Sequence, residues 1–207
     1  VNVIESSIAR NSDWVLPIHA GIEIGVASTK AFLGQLTVLY ILCLKLAFLR
    51  KDIDEKTYIK NISNLKKLPE AIKKCIKSEN SVQLMAKEFI SAKGSMFLGR
   101  GSSFPIALEG ALKLKELSYL HAEGYPAGEM KHGPLALIEE GLPVIVIAPK
   151  NKYFEKTISN MQEVIARGGK ILFITDNKKE SLNENIRFGL RVPYIDNFLS
   201  PILLTLP

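Results

Sequence analysis

Three short apolar runs constrain this chain most: SMFLG at 95–99, PVIVIAP at 143–149 and KILFIT at 170–175. PVIVIAP and KILFIT show no alternation of polar and apolar residues, so both faces of each strand must be covered. Strands buried on both faces belong to parallel sheets, whose crossover helices lie on either side. Helical patterns separate the runs, from Phe104 to about Leu120 and over about 152–167, the second ended by Gly168-Gly169. Ala122–Tyr125 and FGLRVP at 188–193 read as further strands. Strand, helix, strand, helix predicts an α/β fold, a three-layer αβα sandwich on a mainly parallel sheet.

The start of the chain shows the same order as its end. VNVI at 1–4, WVLPI at 14–18 and a helix from about Ser28 match KILFIT, FGLRVP and a helix beginning near Ser200-Pro201, about 170 residues later. Such a repeat predicts one partial and one nearly complete copy of a single α/β domain. The chain then opens at the fourth strand of the first copy. Its final helix stops at Pro207 after barely two turns, so a fragment of a longer protein is expected. A helical stretch over about 54–92 joins the copies, punctuated by Pro69 and by Ser78-Glu79-Asn80-Ser81. The domain boundary is expected near 78–80, giving 1–78 and 79–207.

Composition narrows the partners. With 47% hydrophobic and 23% charged residues the chain has the makings of a core. The net charge of +6 is spread out, and its densest run, Lys51 to Lys77, alternates lysine with apolar and acidic residues. That reads as solvated helix faces, and no nucleic-acid partner is expected. Cys43 and Cys75 stand alone, without CxxC or Cys/His spacing, and suit buried thiols in a reducing cytoplasm. Residues 31–49 approach the length of a membrane span but contain Gln35 and Lys45. A charge inside a span is expensive, so a buried or amphipathic helix of a soluble protein is expected there, not a membrane segment.

The chemistry concentrates in LGRGSSFPIALEGALKLKELSYL at 98–120 and HAEGYPAGEMKHGP at 121–134. A strand end, a Gly-rich turn and a helix start can bind an anion, although GRGS also serves as simple turn chemistry. On the helix, Glu109, Lys113 and Glu116 are spaced i, i+4, i+7 and share one narrow face. Either this is an exposed face with salt bridges, or it is a lysine between two carboxylates beside a ligand cleft, able to move a proton. After the strand at Ala122–Tyr125, a short turn or helix at Pro126–Lys131 delivers His132-Gly133-Pro134. A histidine so held is structural or an acid–base group, and nearness in sequence to Glu116 and Lys113 brings the second reading level with the first. In EIGVASTKAF at 23–32, Ser28 and Thr29 read as hydroxyl caps of a helix or as recognition groups for a ligand. No dinucleotide fingerprint, P-loop or nucleophile elbow is present.

HAGIEIGVASTKAF at 19–32 and ALEGALKLKELSYLHAEGYPAGEMKHGPLALI at 107–138 closely resemble the isomerase part of the glutamine–fructose-6-phosphate aminotransferases, also called glucosamine-6-phosphate synthases. That part consists of two SIS (sugar isomerase) domains, and VIVIAP and ARGGKILFITD (166–176) fit it too. The resemblance implies SIS domains of flavodoxin-like α/β type: the end of a first one with connecting helices, and a second one lacking its last helix and tail. It implies formation of glucosamine 6-phosphate from fructose 6-phosphate and glutamine-derived ammonia. A glutaminase domain of the full-length chain would supply the ammonia, in a cytoplasmic homodimer that needs neither metal nor organic cofactor. By the same resemblance Glu116 is the base moving a proton between C1 and C2, and Lys113 contacts substrate and supports that transfer. Glu109 belongs to the same face, His132 opens the sugar ring, and Val26 and Ser28 contact the sugar. The family's histidine serves a site on the neighbouring subunit. Its main phosphate loops precede the first residue here and its C-terminal lysine follows Pro207, so this chain alone is expected to be inactive. Two other readings keep the SIS fold: a stand-alone phosphosugar isomerase or deglycase, and a non-catalytic sugar-phosphate-binding regulator.

Overall fold

The structure is a computed structural model and describes residues 1–177 and 186–207. Two compact units divide at Lys66/Lys67. In the first, a short helix α1 (Ser7–Arg10) precedes α2 (Lys30–Leu49) and α3 (Glu55–Leu65). The second contains α4 (Leu68–Ile76), α5 (Glu79–Ala86), β1 (Ser95–Gly99), α6 (Ser103–Ser118), β2 (Ala122–Pro126), β3 (Pro143–Ile147), α7 (Phe154–Ile165), β4 (Lys170–Thr175), β5 (Ile186–Arg191) and α8 (Ser200–Leu204).

The five strands lie in the order β2-β1-β3-β4-β5, and every pair is parallel. From β1 the chain moves to β2 on one side, and from β3 to β4 on the other. Right-handed crossovers in opposite directions place their helices on opposite faces. Side-chain parity agrees. Phe97 turns toward α6, where its ring sits against Gly110. Met96 and Leu98 turn the other way, into a core with Met161 and Val164 of α7 and Phe173 of β4. The three-layer sandwich is therefore present in the second unit, and β5 begins two residues before the expected FGLRVP.

The carboxyl ends of the strands are tied by polar groups. Asp176, just past β4, is 2% exposed and accepts from the Lys150 amide at 2.6 Å and from the Ser200 hydroxyl. The Thr175 hydroxyl donates to the Ala148 carbonyl at 2.7 Å. Burying a carboxylate is costly unless donors surround it, so this knot locks the β3–α7 loop to the start of α8.

The first unit corrects several expectations. VNVI and WVLPI are not strands. Their backbones share two hydrogen bonds, the Val1 terminal nitrogen to the Leu16 carbonyl at 3.0 Å and the Ile18 amide to the Val1 carbonyl at 2.9 Å. That is the pattern of one parallel bridge, Val1 opposite Pro17. It goes no further, since the Ala20 amide that would make the next rung donates to Asn2 Oδ1 at 3.0 Å instead. α2 begins at Lys30 and α8 at Ser200, 170 residues apart.

No hydroxyl caps α2: Thr29 occupies the cap position without a side-chain bond. The Glu23 carboxylate reaches back to the Ala31 amide at 3.3 Å instead. Nor is α2 buried or clearly amphipathic. Only Ala31 and Leu44 are buried, whereas Leu39, Ile41, Leu42, Leu46 and Leu49 are exposed. By length and composition it is apolar enough to cross a membrane. Lys45 lies over the rings of Phe48 and Tyr58. The expectation of two buried thiols holds for Cys75, whose burial pushes it up to about 11, and fails for Cys43, which is exposed on α2.

Candidate active site

The GRGS turn closes tightly on β1. A Cβ at Gly99 would stand 2.1 Å from the Ser103 carbonyl oxygen, so only glycine lets α6 start this close to the strand. From there α6 runs back along the sheet until Tyr119, in the left-handed region at φ 59°, turns the chain into β2. Its buried residues are Ser103, Ile106, Ala107 and Ala111. Small residues among them let β2 approach closely: a Cβ on Gly124 would meet the Leu108 backbone at 2.9 Å.

On α6 the lysine stands between the two acids. Lys113 Nζ is 2.6 Å from Glu116 Oε2 and 3.5 Å from Glu109 Oε1. Side-chain exposures are 21% for Lys113, 15% for Glu109 and 31% for Glu116. Leu108 and Leu112 of the same helix are 45% and 41% exposed. The ionic face is thus better covered than the neighbouring leucines, the reverse of a solvated salt-bridge face. Burial disfavours the Lys113 ammonium, but Glu116 and Glu109 outweigh it and hold the group above the usual lysine range. A partly desolvated carboxylate with a fixed ammonium beside it is equipped to take a proton from carbon.

His132 ends a 3-10 helix, Ala127–His132, and is exposed. Ala127 and Met130 of that helix enter the core shared with α7. The histidine therefore stands on the α7 face of the sheet and the ionic triad on the opposite, α6 face. Among the described residues no hydrogen bond or ion pair joins them. Nearness in sequence suggested one constellation; the crossover topology separates its members.

Val26 and Ser28 lie in the first unit. Val26 is exposed, and the Ser28 hydroxyl is 3.4 Å from Glu23 Oε1. No metal-binding cluster of His, Cys, Asp and Glu occurs among the described residues. Sequence reasoning passed over Arg100, Asn160 and Gly128. Arg100 Nη1 donates to Asn160 Oδ1 at 3.2 Å, and its guanidinium lies against Gly128. The GRG motif and the lone glycine of PAGEM were the available signals.

Residues 88–206 match the model of the SIS domain. This chain belongs to the SIS domain family. Its full length is 50% identical to the glutamine–fructose-6-phosphate aminotransferases (isomerizing) of Bartonella henselae and Brucella abortus. The chain spans 34% of each of these relatives, about a third of their length. Its structure superposes with a TM-score of 0.96 on the C-terminal domain of glucosamine-fructose-6-phosphate aminotransferase from Francisella tularensis. That match is 41% identical and covers 100% of this chain and 58% of the other. The resemblance read from two sequence stretches therefore holds over this whole SIS chain.

Proposed function

We propose that this chain is the isomerase and sugar-phosphate-binding part of a glutamine-dependent fructose-6-phosphate amidotransferase. The observation that carries the reading is the covered Glu109–Lys113–Glu116 face. Ketose-to-aldose conversion removes a proton alpha to a carbonyl or imine, and one carboxylate can take it from C1 or C2 and return it to the other. Glu116 is that base. Lys113 holds it in place and offers a positive charge to the oxyanion that forms next to it. Glu109 anchors Lys113 from the preceding turn. His132 donates a proton to the ring oxygen and opens the ring. Val26 and Ser28 contact the sugar.

Because His132 stands on the other face of the sheet, it acts in a site it does not share with its own chain's Glu116. A second subunit supplies the missing partner, which supports a homodimer. Ammonia comes from the glutaminase domain of the full-length protein, and isolated cysteines suit a cytoplasmic setting.

In the full-length protein, Glu116→Gln should retain sugar-phosphate binding and lose about 10²–10⁴-fold in turnover with fructose 6-phosphate. Full turnover by that variant would defeat the catalytic reading. It would leave the SIS regulator, which needs no proton carrier, as the alternative.

A further inference from the structure

The 3-10 helix bearing His132 is held on two sides by groups to which the reaction assigns no part. Residues i and i+3 eclipse in a 3-10 helix, so its six residues present three rows of two. Ala127 and Met130 form the first row, 1% and 0% exposed in the core. Gly128 and Lys131 form the second, Glu129 and His132 the third.

The second row meets α7. Asn160 and Glu163, three residues apart, face the turn as a matching pair. Arg100 bridges at one end: its Nη1 donates to Asn160 Oδ1 at 3.2 Å. A Cβ on Gly128 would stand 2.8 Å from that Nη1 and 3.1 Å from Cζ, so the guanidinium rests on the bare Cα. At the other end Lys131 Nζ meets Glu163 Oε1 at 3.0 Å. Among the described residues Glu163 Oε2 is buried without a hydrogen-bond partner, so the carboxylate depends on the ion pair that Lys131 makes with its other oxygen. Beyond the turn, Gly133 adopts φ 142°, a conformation that favours glycine, and its carbonyl accepts from the Ala136 amide at 2.9 Å. The core row and the following turn at Pro134–Leu137 hold the backbone, and the second row adds the polar contacts that fix its side toward α7.

We propose that Arg100 and Glu163 are positioning residues that, through Gly128 and Lys131, set the rotation of the 3-10 turn and thereby aim His132. The inference rests on the reading of His132 as the group that opens the sugar ring.

The test is a set of double-mutant cycles in the full-length enzyme with fructose 6-phosphate. Glu163→Gln and Gly128→Ala should each lower kcat roughly ten- to hundredfold, with KM little changed. In a His132→Ala background the same changes should cost nothing further, because they act only through that side chain. Equal losses in both backgrounds, or no loss in a folded variant, overturn the proposal. If Gly128→Ala does not fold, the charge swap decides. Lys131→Glu and Glu163→Lys should each impair turnover, and the double variant should recover it; a folded double variant that stays impaired overturns the proposal. Full turnover by His132→Ala would overturn the functional reading of the histidine and the positioning proposal together. Loss in His132→Ala without loss in Glu163→Gln overturns the positioning alone.

Discussion

Lys113 carries its charge against the pull of burial. Glu116 and Glu109 more than offset that cost and raise its folded value above the ordinary 10.5. A raised value in the folded state means the stabilisation is complete below the unfolded value and is lost as pH climbs through the folded one. Replacing Lys113 with Met leaves Glu109 and Glu116 facing each other without a cation between them. The variant should melt below the parent at pH 7, and the gap should narrow as pH rises above the ordinary lysine range. Equal gaps at both pH values in thermal melts would show that the ion pairs contribute nothing. The spacing of these three residues was legible in the sequence. Their coverage was not, since helical periodicity assigns a face without saying whether solvent or protein meets it.

The elements depend on close approach at a few glycines. Gly124 brings β2 against the backbone of α6 at Leu108, and backbone cannot step aside as a side chain can. Gly124→Ala should cost about 1–3 kcal/mol through overpacking. Gly25→Ala meets nothing within 4 Å and should leave the melting temperature unchanged. Thermal melts of both variants settle the contrast. The parallel strands and their helices were readable because unbroken apolar runs admit few other structures. VNVI and WVLPI misled because a strand is completed by its neighbours, and only Val1 and Pro17 pair here. The cap of α2 misled because a carboxylate six residues before the Thr29 cap position, Glu23, folds back onto it, while the hydroxyls beside the helix cap nothing.

At the scale of the molecule, the two-faced placement of the triad and His132 makes a specific demand on assembly. Full-length Glu116→Gln and His132→Ala proteins should each be nearly inactive. Subunits of the two, unfolded and refolded together, should recover turnover, because mixed dimers contain one site with both wild-type groups. No recovery from well-mixed dimers would place both groups in one chain's site. The 207-residue chain alone, given ammonia and fructose 6-phosphate, should form no detectable glucosamine 6-phosphate, measured by product assay. What the sequence by itself determined is the α/β class, the parallel strands, the ionic face of α6 and the identity of the histidine turn. All of these follow from local periodicity and residue chemistry within about thirty residues. The tertiary structure alone decided that the ionic face is covered, that His132 lies across the sheet from it, and that Arg100 and Glu163 hold the turn. Those facts depend on the hand of two crossovers and on contacts such as Arg100 to Asn160, 60 residues apart, which no local pattern encodes.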